Sequence, residues 1–288
     1  MMTVGDTTAL ACPGCRAGLL FDGQTRDGKI FEGTLICRGC RARWPVRKGL
    51  AKLYDERALS FKERLIRRSY DKYGRFHDPL VRIVFPLLRE ETSADNRDRY
   101  LARLELGRLR PKADGKPIRI LEVGVGSGDD VLAVRRHLPA TRKVEIWGVD
   151  VSLGMLRVLR PKLDTADYAD TKILMGDAHA LPFADQTFDR VFHVGAINSY
   201  RDPRRALQEM LRVAMPASPV VTVDEWLEEN KPLRLRDRLI YRMLTPYDFG
   251  LPHPLTFLPA GVTNVRMEQL NPVFYCLSFQ APGAEARA

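Results

Sequence analysis

A strand-like apolar segment that runs into three alternating glycines constrains the fold more than any other part of the sequence. The segment Ile120-Leu-Glu-Val is followed by glycines at positions 124, 126 and 128 and then by two aspartates. Glycine lets the backbone turn sharply and approach a ligand closely, and the helix that begins there offers N–H groups to an anion. The pattern predicts a strand–turn–helix unit that binds a nucleotide-like ligand.

The rest of the C-terminal half alternates between short β-branched runs and helical patterns, which is typical of a parallel sheet built from βαβ units. Strands are predicted at 118–123, 144–149, 172–175, 188–194, 219–224, 262–267 and 273–279, and helices at 129–137, 153–163 and 203–213. The expected fold class is α/β, a Rossmann-like, seven-stranded, mostly parallel sheet with helices on both faces.

Composition divides the 288 residues into three predicted domains or segments: 1–55, 56–112 and 113–288. Residues 56–112 are rich in arginine and carry apolar residues at helical spacing, which predicts a helical lid or linker. These apolar positions are Leu59, Leu65, Ile66, Ile83, Val84, Leu87 and Leu88.

Four of the five cysteines form two C-x2-C pairs, Cys12/Cys15 and Cys37/Cys40. In a reducing compartment this pattern favours a metal over disulfides. Four thiolates saturate a tetrahedral Zn²⁺ and leave no position for water or substrate, so the predicted site is structural. A segment this short buries little core, and the metal would supply its folding free energy. We interpret residues 1–55 as a zinc ribbon and Cys276 as a buried apolar side chain.

Two further features lie near the glycine turn. Asp150 ends the second predicted strand and could accept hydrogen bonds from two ribose hydroxyls. Asp177 and Ala178 follow the third strand, where a carboxylate could accept a hydrogen bond from an adenine amino group. The glycine turn alone fits NAD, FAD or S-adenosylmethionine, but an acidic residue at Glu122 suits the cationic methionine end of the last of these.

The ordered set E-x-G-x-G-x-G, strand-end Asp, G-D-A-x-x-L-P-F and F-D-x-V resembles the class I methyltransferases, in particular the quinone-methylating type 11 branch. The segment Ser69-Tyr70-Asp71-Lys-Tyr73 is similar to the lid helix of that branch, although the second aromatic–acid pair is missing unless Phe76-His77-Asp78 replaces it. The resemblance implies S-adenosylmethionine as cofactor and places these residues around it: Tyr70, Tyr73, Glu122, Gly124, Val125, Gly126, Gly128, Asp150, Val151, Met155, Asp177, Ala178, His193 and Val194.

Residues 12–54 resemble the Trm112-type zinc-ribbon family, whose free-standing members activate partner methyltransferases. The match rests on the Cys-Pro-Gly-Cys start, the second cysteine pair and the Trp44-Pro-Val segment with its glycine-containing tail. Fusion would place activator and enzyme in one chain, with Zn²⁺ in a structural role.

The loop after the fourth strand carries the candidate catalytic residues His193, Asn198 and Tyr200. His193 or Tyr200 could orient or deprotonate an acidic hydroxyl, and Asn198 could shape the acceptor pocket. The alternative for His193 is a purely structural cap of the strand. The chain lacks an [ND]-P-P-[YFW] signature and a Pro-Cys or Thr-Cys nucleophile, which disfavours two known kinds of base methylation.

A net charge of +10 permits an anionic partner without choosing one. Arginines interleave with apolar residues over 231–242, as on a helix at an anionic membrane surface or on a plain solvated helix. The leading hypothesis is methylation of a small lipophilic or aromatic, quinone-like acceptor. RNA methylation and a non-catalytic cofactor-binding scaffold are the alternatives. With no apolar run of membrane length and no signal-like start, we expect a cytoplasmic location.

Overall fold

The computed structural model describes residues 1–76, 79, 93–138, 143–168, 170–227, 234–245 and 252–281. Its N-terminal part is an antiparallel meander of four strands: β1 (Leu19–Arg26), β2 (Lys29–Cys37), β3 (Arg43–Arg47) and β4 (Leu50–Leu53). The cysteine pairs lie just before β1 and between the end of β2 and the start of β3, so the meander brings them to one end.

All seven predicted strands of the C-terminal part are present. They are β5 (Ile118–Val123), β6 (Val144–Asp150), β7 (Thr171–Gly176), β8 (Arg190–Val194), β9 (Pro219–Glu225), β10 (Thr263–Asn271) and β11 (Phe274–Gln280). Their order in the sheet is β7-β6-β5-β8-β9-β11-β10. Strands β5 to β9 run parallel, and the hairpin β10–β11 closes the edge with β11 antiparallel to β9. The α/β fold class is confirmed.

The described helices are α1 (Phe61–Tyr73), α2 (Ser93–Arg103), α3 (Asp129–Arg136), α4 (Leu153–Leu159), α5 (Pro203–Val213) and α6 (Leu235–Leu244). Side-chain caps begin three of them: Ser60 with Glu63 in a capping box, Ser152, and Asp202 before Pro203. The predicted helix 153–163 ends earlier, at Leu159, and continues as a 3₁₀ turn over Arg160–Asp164. Pro161 explains the change, because its nitrogen has no hydrogen to donate to an α-helical carbonyl.

The N-terminal meander and the parallel sheet are continuous. Strand β4 pairs in parallel with β7, with Lys52 opposite Met175 and Leu53 opposite Gly176, which makes one sheet of eleven strands. The cores are also shared, since Leu35 and Leu53 belong to the same buried cluster as Trp147 and Phe183. The predicted ribbon therefore does not have a core separate from the sheet, and the domain boundaries at 55 and 112 stay predictions.

Several predicted features lie outside the described residues: the apolar positions Ile83, Val84, Leu87 and Leu88, the His77-Asp78 pair, and residues 231–233 of the basic segment. In the part of the chain that the structure describes, no helix is long and apolar enough to cross a bilayer.

Candidate functional site

The four paired cysteines converge on one point. All four sulfurs lie within 4.8 Å of one another, with Cys12 Sγ 3.7 Å from Cys40 Sγ and Cys15 Sγ 3.3 Å from Cys37 Sγ. A tetrahedral ion with Zn–S bonds of about 2.3 Å requires sulfur separations of about 3.8 Å. The donor set and its spacing therefore fit a metal ion that thiolates bind.

The three glycines of the turn after β5 have backbone conformations that L side chains rarely adopt. Their φ angles are +74° at Gly124, +52° at Gly126 and +82° at Gly128. A Cβ at Gly128 would also lie 2.4 Å from the Cδ1 of Leu159, a fully buried side chain. Backbone strain and packing thus explain the glycines. Because they carry no side chains, the turn presents its bare main chain at the carboxyl end of β5, and we call this surface the cradle. His193 and Met155 border it, with Nδ1 and Cε 3.4 Å and 3.3 Å from the Cβ positions of Gly124 and Gly126.

Two carboxylates flank this cradle. Glu122 is buried and its Oε2 has no hydrogen-bond partner, and burial with the nearby charge of Asp130 raises its pKa well above the usual range. Asp150 is held at the end of β6 by main-chain donors: Gly126 N donates to Oδ2 (2.9 Å) and Ser152 N to Oδ1 (2.7 Å). Each oxygen of Asp150 keeps a lone pair for a further donor.

Asp177 lies in a network of charged groups after β7. Its Oδ1 accepts from the backbone N of His179 (2.9 Å) and contacts His179 Nδ1 (2.6 Å), and its Oδ2 accepts from Arg201 Nη2 (2.7 Å). Burial alone would raise its pKa, but the hydrogen bonds from His179 and Arg201 lower it to about 2. Arg201 Nη1 also donates to both carboxylate oxygens of Glu63 in α1, at 3.1 Å to each.

Helix α1 packs against α4, the helix that follows Asp150, and is fixed at both ends. Near its start Glu63 binds Arg201, and near its end Asp71 Oδ1 accepts from Ser152 Oγ (2.8 Å) and Gly154 N (2.9 Å). The helix approaches α4 so closely that a Cβ at Gly154 would lie 2.4 Å from Asp71 Cα. Both predicted lid tyrosines are exposed on this helix, Tyr70 by 41% and Tyr73 by 52%, with the Lys72 ammonium over the ring of Tyr73.

The candidate catalytic residues are close together at the end of β8. His193 is fully buried, with Nδ1 2.7 Å from the carbonyl of Val123 and Nε2 accepting from Ala196 N (3.1 Å). The Tyr200 hydroxyl lies 3.5 Å from His193 Nδ1. Asn198 Nδ2 donates to Asp224 Oδ1 (2.9 Å) and to the carbonyl of Glu225 (2.7 Å). Burial lowers the pKa of His193 to about 4, so its ring is neutral near pH 7.

Of the other predicted cofactor residues, Met155 lies beside the cradle, and Val125, Val151, Ala178 and Val194 lie at or just after the carboxyl ends of β5 to β8. Met155 is buried with its Cε 3.3 Å from a Cβ position at Gly126. The Val151 carbonyl accepts from the Tyr54 hydroxyl (3.3 Å), and Val125 is buried against Gly148. Ala178 is buried after β7 and Val194 is half-buried at the end of β8.

Sequence reasoning quoted Asp71 within the lid motif without giving it a role, and it missed three other acidic residues that order this region, namely Glu63, Asp224 and Glu225. The last two were visible as an acidic pair at the end of a predicted apolar strand, but their partners are distant in sequence. Only the sheet, which places β9 beside β8, brings Asp224 to Ala196 and Asn198.

The residues present fit S-adenosylmethionine. A buried, unpartnered carboxylate oxygen on Glu122 suits a cationic ammonium, and the glycine turn at 124–128 presents bare main chain that a ligand can approach closely. The two carboxylate oxygens of Asp150, at the end of the neighbouring strand β6, can accept hydrogen bonds from the ribose hydroxyls of the cofactor.

The comparisons with known proteins agree with this geometry. Residues 120–217 match the family model described as a methyltransferase domain. The malonyl-[acyl-carrier protein] O-methyltransferase of Halorhodospira halophila is 32% identical over 164 residues, 57% of this chain and 49% of that protein. The ubiquinone/menaquinone biosynthesis C-methyltransferase of Geobacter sulfurreducens is 36% identical over 130 residues, 45% and 47% of the two chains.

A third relative, a phosphatidylethanolamine N-methyltransferase of Cereibacter sphaeroides, is 32% identical over 126 residues, 43% of this chain and 59% of that protein. The chain thus spans about half the length of the curated relatives that it matches. The three relatives act, by their names, on acceptors of different chemistry.

Solved structures agree on the fold. The phosphoethanolamine N-methyltransferase 2 of Haemonchus contortus in complex with S-adenosyl-L-methionine superposes with a TM-score of 0.53 at 15% identity, covering 83% of this chain and 62% of that one. The [4+2]-cyclase SpnF gives 0.50 at 15% identity, covering 79% and 98%. Residues 120–217 are thus similar to a methyltransferase domain, and the chain shares the fold of these solved structures.

Proposed function

We propose that the protein is an S-adenosylmethionine-dependent methyltransferase whose acceptor is a small lipophilic or aromatic, quinone-like molecule. The observation that carries the cofactor assignment is the buried Glu122 carboxylate with its unpartnered oxygen beside the glycine cradle. The bound cofactor would supply an electrophilic methyl group on a sulfonium sulfur. A quinone-like acceptor finds support in the Geobacter relative, while the other relatives keep acyl and phospholipid acceptors open.

The residues of this chain would contribute binding and orientation. Glu122 would hold the ammonium of the methionine end, Asp150 the ribose hydroxyls, and helix α1 would cover the site and exclude water. Much of the rate of an in-line displacement comes from such positioning. Zn²⁺ is the ion that we propose for the four thiolates, in a structural role.

We also propose that the protein binds an anionic membrane surface through helix α6. Helix α6 exposes Leu235, Leu239 and Met243, which are four residues apart and so lie on one face. Arg236 and Arg242 flank that face and Arg234 and Arg238 are exposed nearby, while the acidic Asp237 is buried. An apolar stripe with a basic border suits the surface of an anionic membrane, where a lipophilic acceptor would be dissolved. The catalytic domain would then work from the cytoplasmic side, as the sequence predicts.

The function can be tested with labelled S-adenosylmethionine and cell extract divided into lipid, RNA and protein fractions. We expect label in the lipid fraction and a stoichiometric amount of S-adenosylhomocysteine. Label confined to RNA would instead support the RNA alternative, and cofactor binding without any product would support the scaffold.

Cofactor binding is tested separately by calorimetry. Asp150→Asn should weaken S-adenosylmethionine binding about tenfold, since hydrogen bonds to a charged group contribute about 1.5–3 kcal/mol. Asp114→Asn, which changes an exposed aspartate paired with Lys116, is the matched control and should bind as the wild type does. Equal affinity of the two variants would contradict the place that we give to Asp150.

A further inference from the structure

The hydroxyl of Tyr200 carries a hydrogen that no group among the described residues accepts. The hydroxyl lies 3.5 Å from His193 Nδ1. That nitrogen is 2.7 Å from the carbonyl of Val123, and because a carbonyl can only accept, Nδ1 must carry the ring hydrogen. The other nitrogen, Nε2, accepts from Ala196 N (3.1 Å), so the ring is neutral. Since Nδ1 has no lone pair for Tyr200, the hydroxyl is left to donate to a ligand or to water.

Tyr200 is also close to the glycine cradle. Its hydroxyl oxygen lies 3.8 Å from the Cβ position of Gly124, the first glycine of the turn, and His193 Nδ1 lies 3.4 Å from the same point. The side chain is half-buried, and its ring centroid is 5.4 Å from that of His193 and 5.2 Å from that of His179. The uncommitted donor therefore lies at the edge of the surface that a ligand would contact.

The segment that carries Tyr200 is fixed on both sides. Before it, the fully buried carboxylate of Asp224 in β9 accepts from Asn198 Nδ2 (2.9 Å). After it, Arg201 Nη1 donates to the Glu63 carboxylate of α1 (3.1 Å). A donor that is held in place before a ligand binds needs no reorganisation when charge develops on that ligand.

The surroundings of Tyr200 keep its phenol in the neutral, donating form. Burial raises its pKa well above the usual range, and nearby carboxylates act in the same direction. These carboxylates are Asp150 of β6, Asp224 of β9, Asp177 after β7 and Glu63 of α1, and the rings of His193 and His179 pack against the phenol. A tyrosine that stays protonated cannot deprotonate an acceptor, which leaves hydrogen-bond donation as its role.

We propose that Tyr200 donates a hydrogen bond to an oxygen of the methyl acceptor and favours its oxyanion, so that the acceptor is a phenol or enol rather than an amine; this rests on the function proposed above. The acceptor hydroxyl releases its proton to water. The nucleophilic atom of the anion forms a bond to the methyl carbon as the methyl–sulfur bond breaks, and the electron pair of the broken bond stays on sulfur. The anion and the sulfonium become two neutral groups, so atoms and charges balance without a side chain that accepts a proton.

The first test measures kcat as a function of pH with a prenylated 1,4-naphthohydroquinone as the probe. The acid limb of kcat reports ionisation within the enzyme–substrate complex. Tyr200→Phe keeps the ring and removes the donor, so we expect the limb to move upward by about one pH unit, with kcat about tenfold lower below the limb and unchanged at alkaline pH. Tyr241→Phe, in helix α6, is the matched control and should keep the wild-type limb.

The same variant shows whether the hydroxyl serves another purpose. An unshifted limb in Tyr200→Phe would overturn the proposal, and so would an equal loss of kcat at every pH, which would indicate a packing role only. Affinity for S-adenosylmethionine, measured by calorimetry, should change less than twofold. A tenfold weaker affinity would place the hydroxyl on the cofactor instead of the acceptor.

A second readout does not need turnover. The probe 4-nitro-1-naphthol, whose anion is coloured, is titrated on the protein in the presence of S-adenosylhomocysteine. We expect the pKa of the bound naphthol to be about one unit higher in Tyr200→Phe than in the wild type and in Tyr241→Phe. An equal pKa in all of them, or a wild type that binds neither aromatic probe, would sink the assignment. Failure of the wild type to bind S-adenosylmethionine is a different result, and it would refute the proposed function.

Discussion

At the scale of single residues, the buried carboxylates of the site differ in how many hydrogen bonds offset the free-energy cost of their burial. Asp150, Asp177 and Asp224 each accept two or more hydrogen bonds, largely from the main chain. Such bonds offset the large cost of removing a carboxylate from water. Glu122 lacks this compensation at Oε2, and burial is the first cause of its raised pKa. Burial is also the first cause of the raised pKa at Asp150 and Asp224, so at these carboxyls the hydrogen bonds offset only part of the cost.

His193 gives a prediction about pH and stability. Its pKa falls from 6.5 to about 4 on folding because of burial, so the unfolded chain binds the proton first as pH decreases. The stability associated with the neutral ring is complete above pH 6.5 and is lost as pH falls toward 4, by about 3 kcal/mol in all.

Denaturant unfolding at several pH values measures this effect. Glutamine cannot be protonated in this range, so His193→Gln should be less stable at pH 7 but lose less stability between pH 6.5 and 4. His253→Gln, at an exposed histidine, should keep the wild-type slope. If the free energy of unfolding of His193→Gln fell with pH as steeply as that of the wild type, a group other than His193 would be responsible for the loss of stability.

At the scale of elements, helices α1 and α6 differ in how they are attached to the rest of the protein. Helix α1 was predicted as a lid from one short motif, and Glu63 and Asp71 attach it to the loop at Arg201 and to the start of α4. Helix α6 buries Asp237 and Ile240 but leaves its apolar stripe uncovered, with Leu235, Leu239 and Met243 exposed by 84%, 61% and 59%. Burying such a stripe in lipid would contribute about 1.5–3 kcal/mol per side chain.

We predict that the α6 stripe binds vesicles of phosphatidylglycerol. Replacing Leu235, Leu239 and Met243 together by serine should weaken binding in a sedimentation assay by tenfold or more. Val4→Ser/Val265→Ser, at exposed apolar residues elsewhere, is the matched control. Binding should decrease with salt and with neutral phosphatidylcholine vesicles, because the arginines contribute by charge. Equal binding of the two variants, or a preference for bulk RNA over vesicles, would contradict the prediction.

At the scale of the whole molecule, the cysteine-containing meander is part of the main sheet. Strand β4 extends the edge at β7, the backbone N of Ala11 donates to Pro182 O (3.1 Å), and Lys172 of β7 binds Asp6 (2.7 Å). The segment that follows β4 leads directly into α1, and Tyr54 touches the loop that presents Asp150. A change in the metal site is therefore expected to reach the cofactor site through shared packing.

Removal of the metal tests this continuity. We expect one zinc ion per chain by elemental analysis, none in Cys15→Ser and one in Cys276→Ala, the control. Zinc-free protein should unfold in one transition, with a Tm lower by about 6–12 °C for a loss of about 3 kcal/mol. Two separate transitions in calorimetry, or an unchanged Tm without zinc, would show that meander and sheet are energetically independent.

The sequence by itself determined the seven strands of the C-terminal part, the starts of α3 and α4, both limits of α5, the glycine turn and the cysteine cluster, because each depends on local periodicity, caps, proline and short spacings. It placed His193, Asn198 and Tyr200 near one another for the same reason. The tertiary structure decided which polar side chains are hydrogen-bonded within the protein. His193 is bonded to the carbonyl of Val123, Asp177 to Arg201, and Asn198 to Asp224. It also joined β4 to β7. These contacts connect residues far apart in the chain, so only the pairing of strands and the burial that follows could assign them.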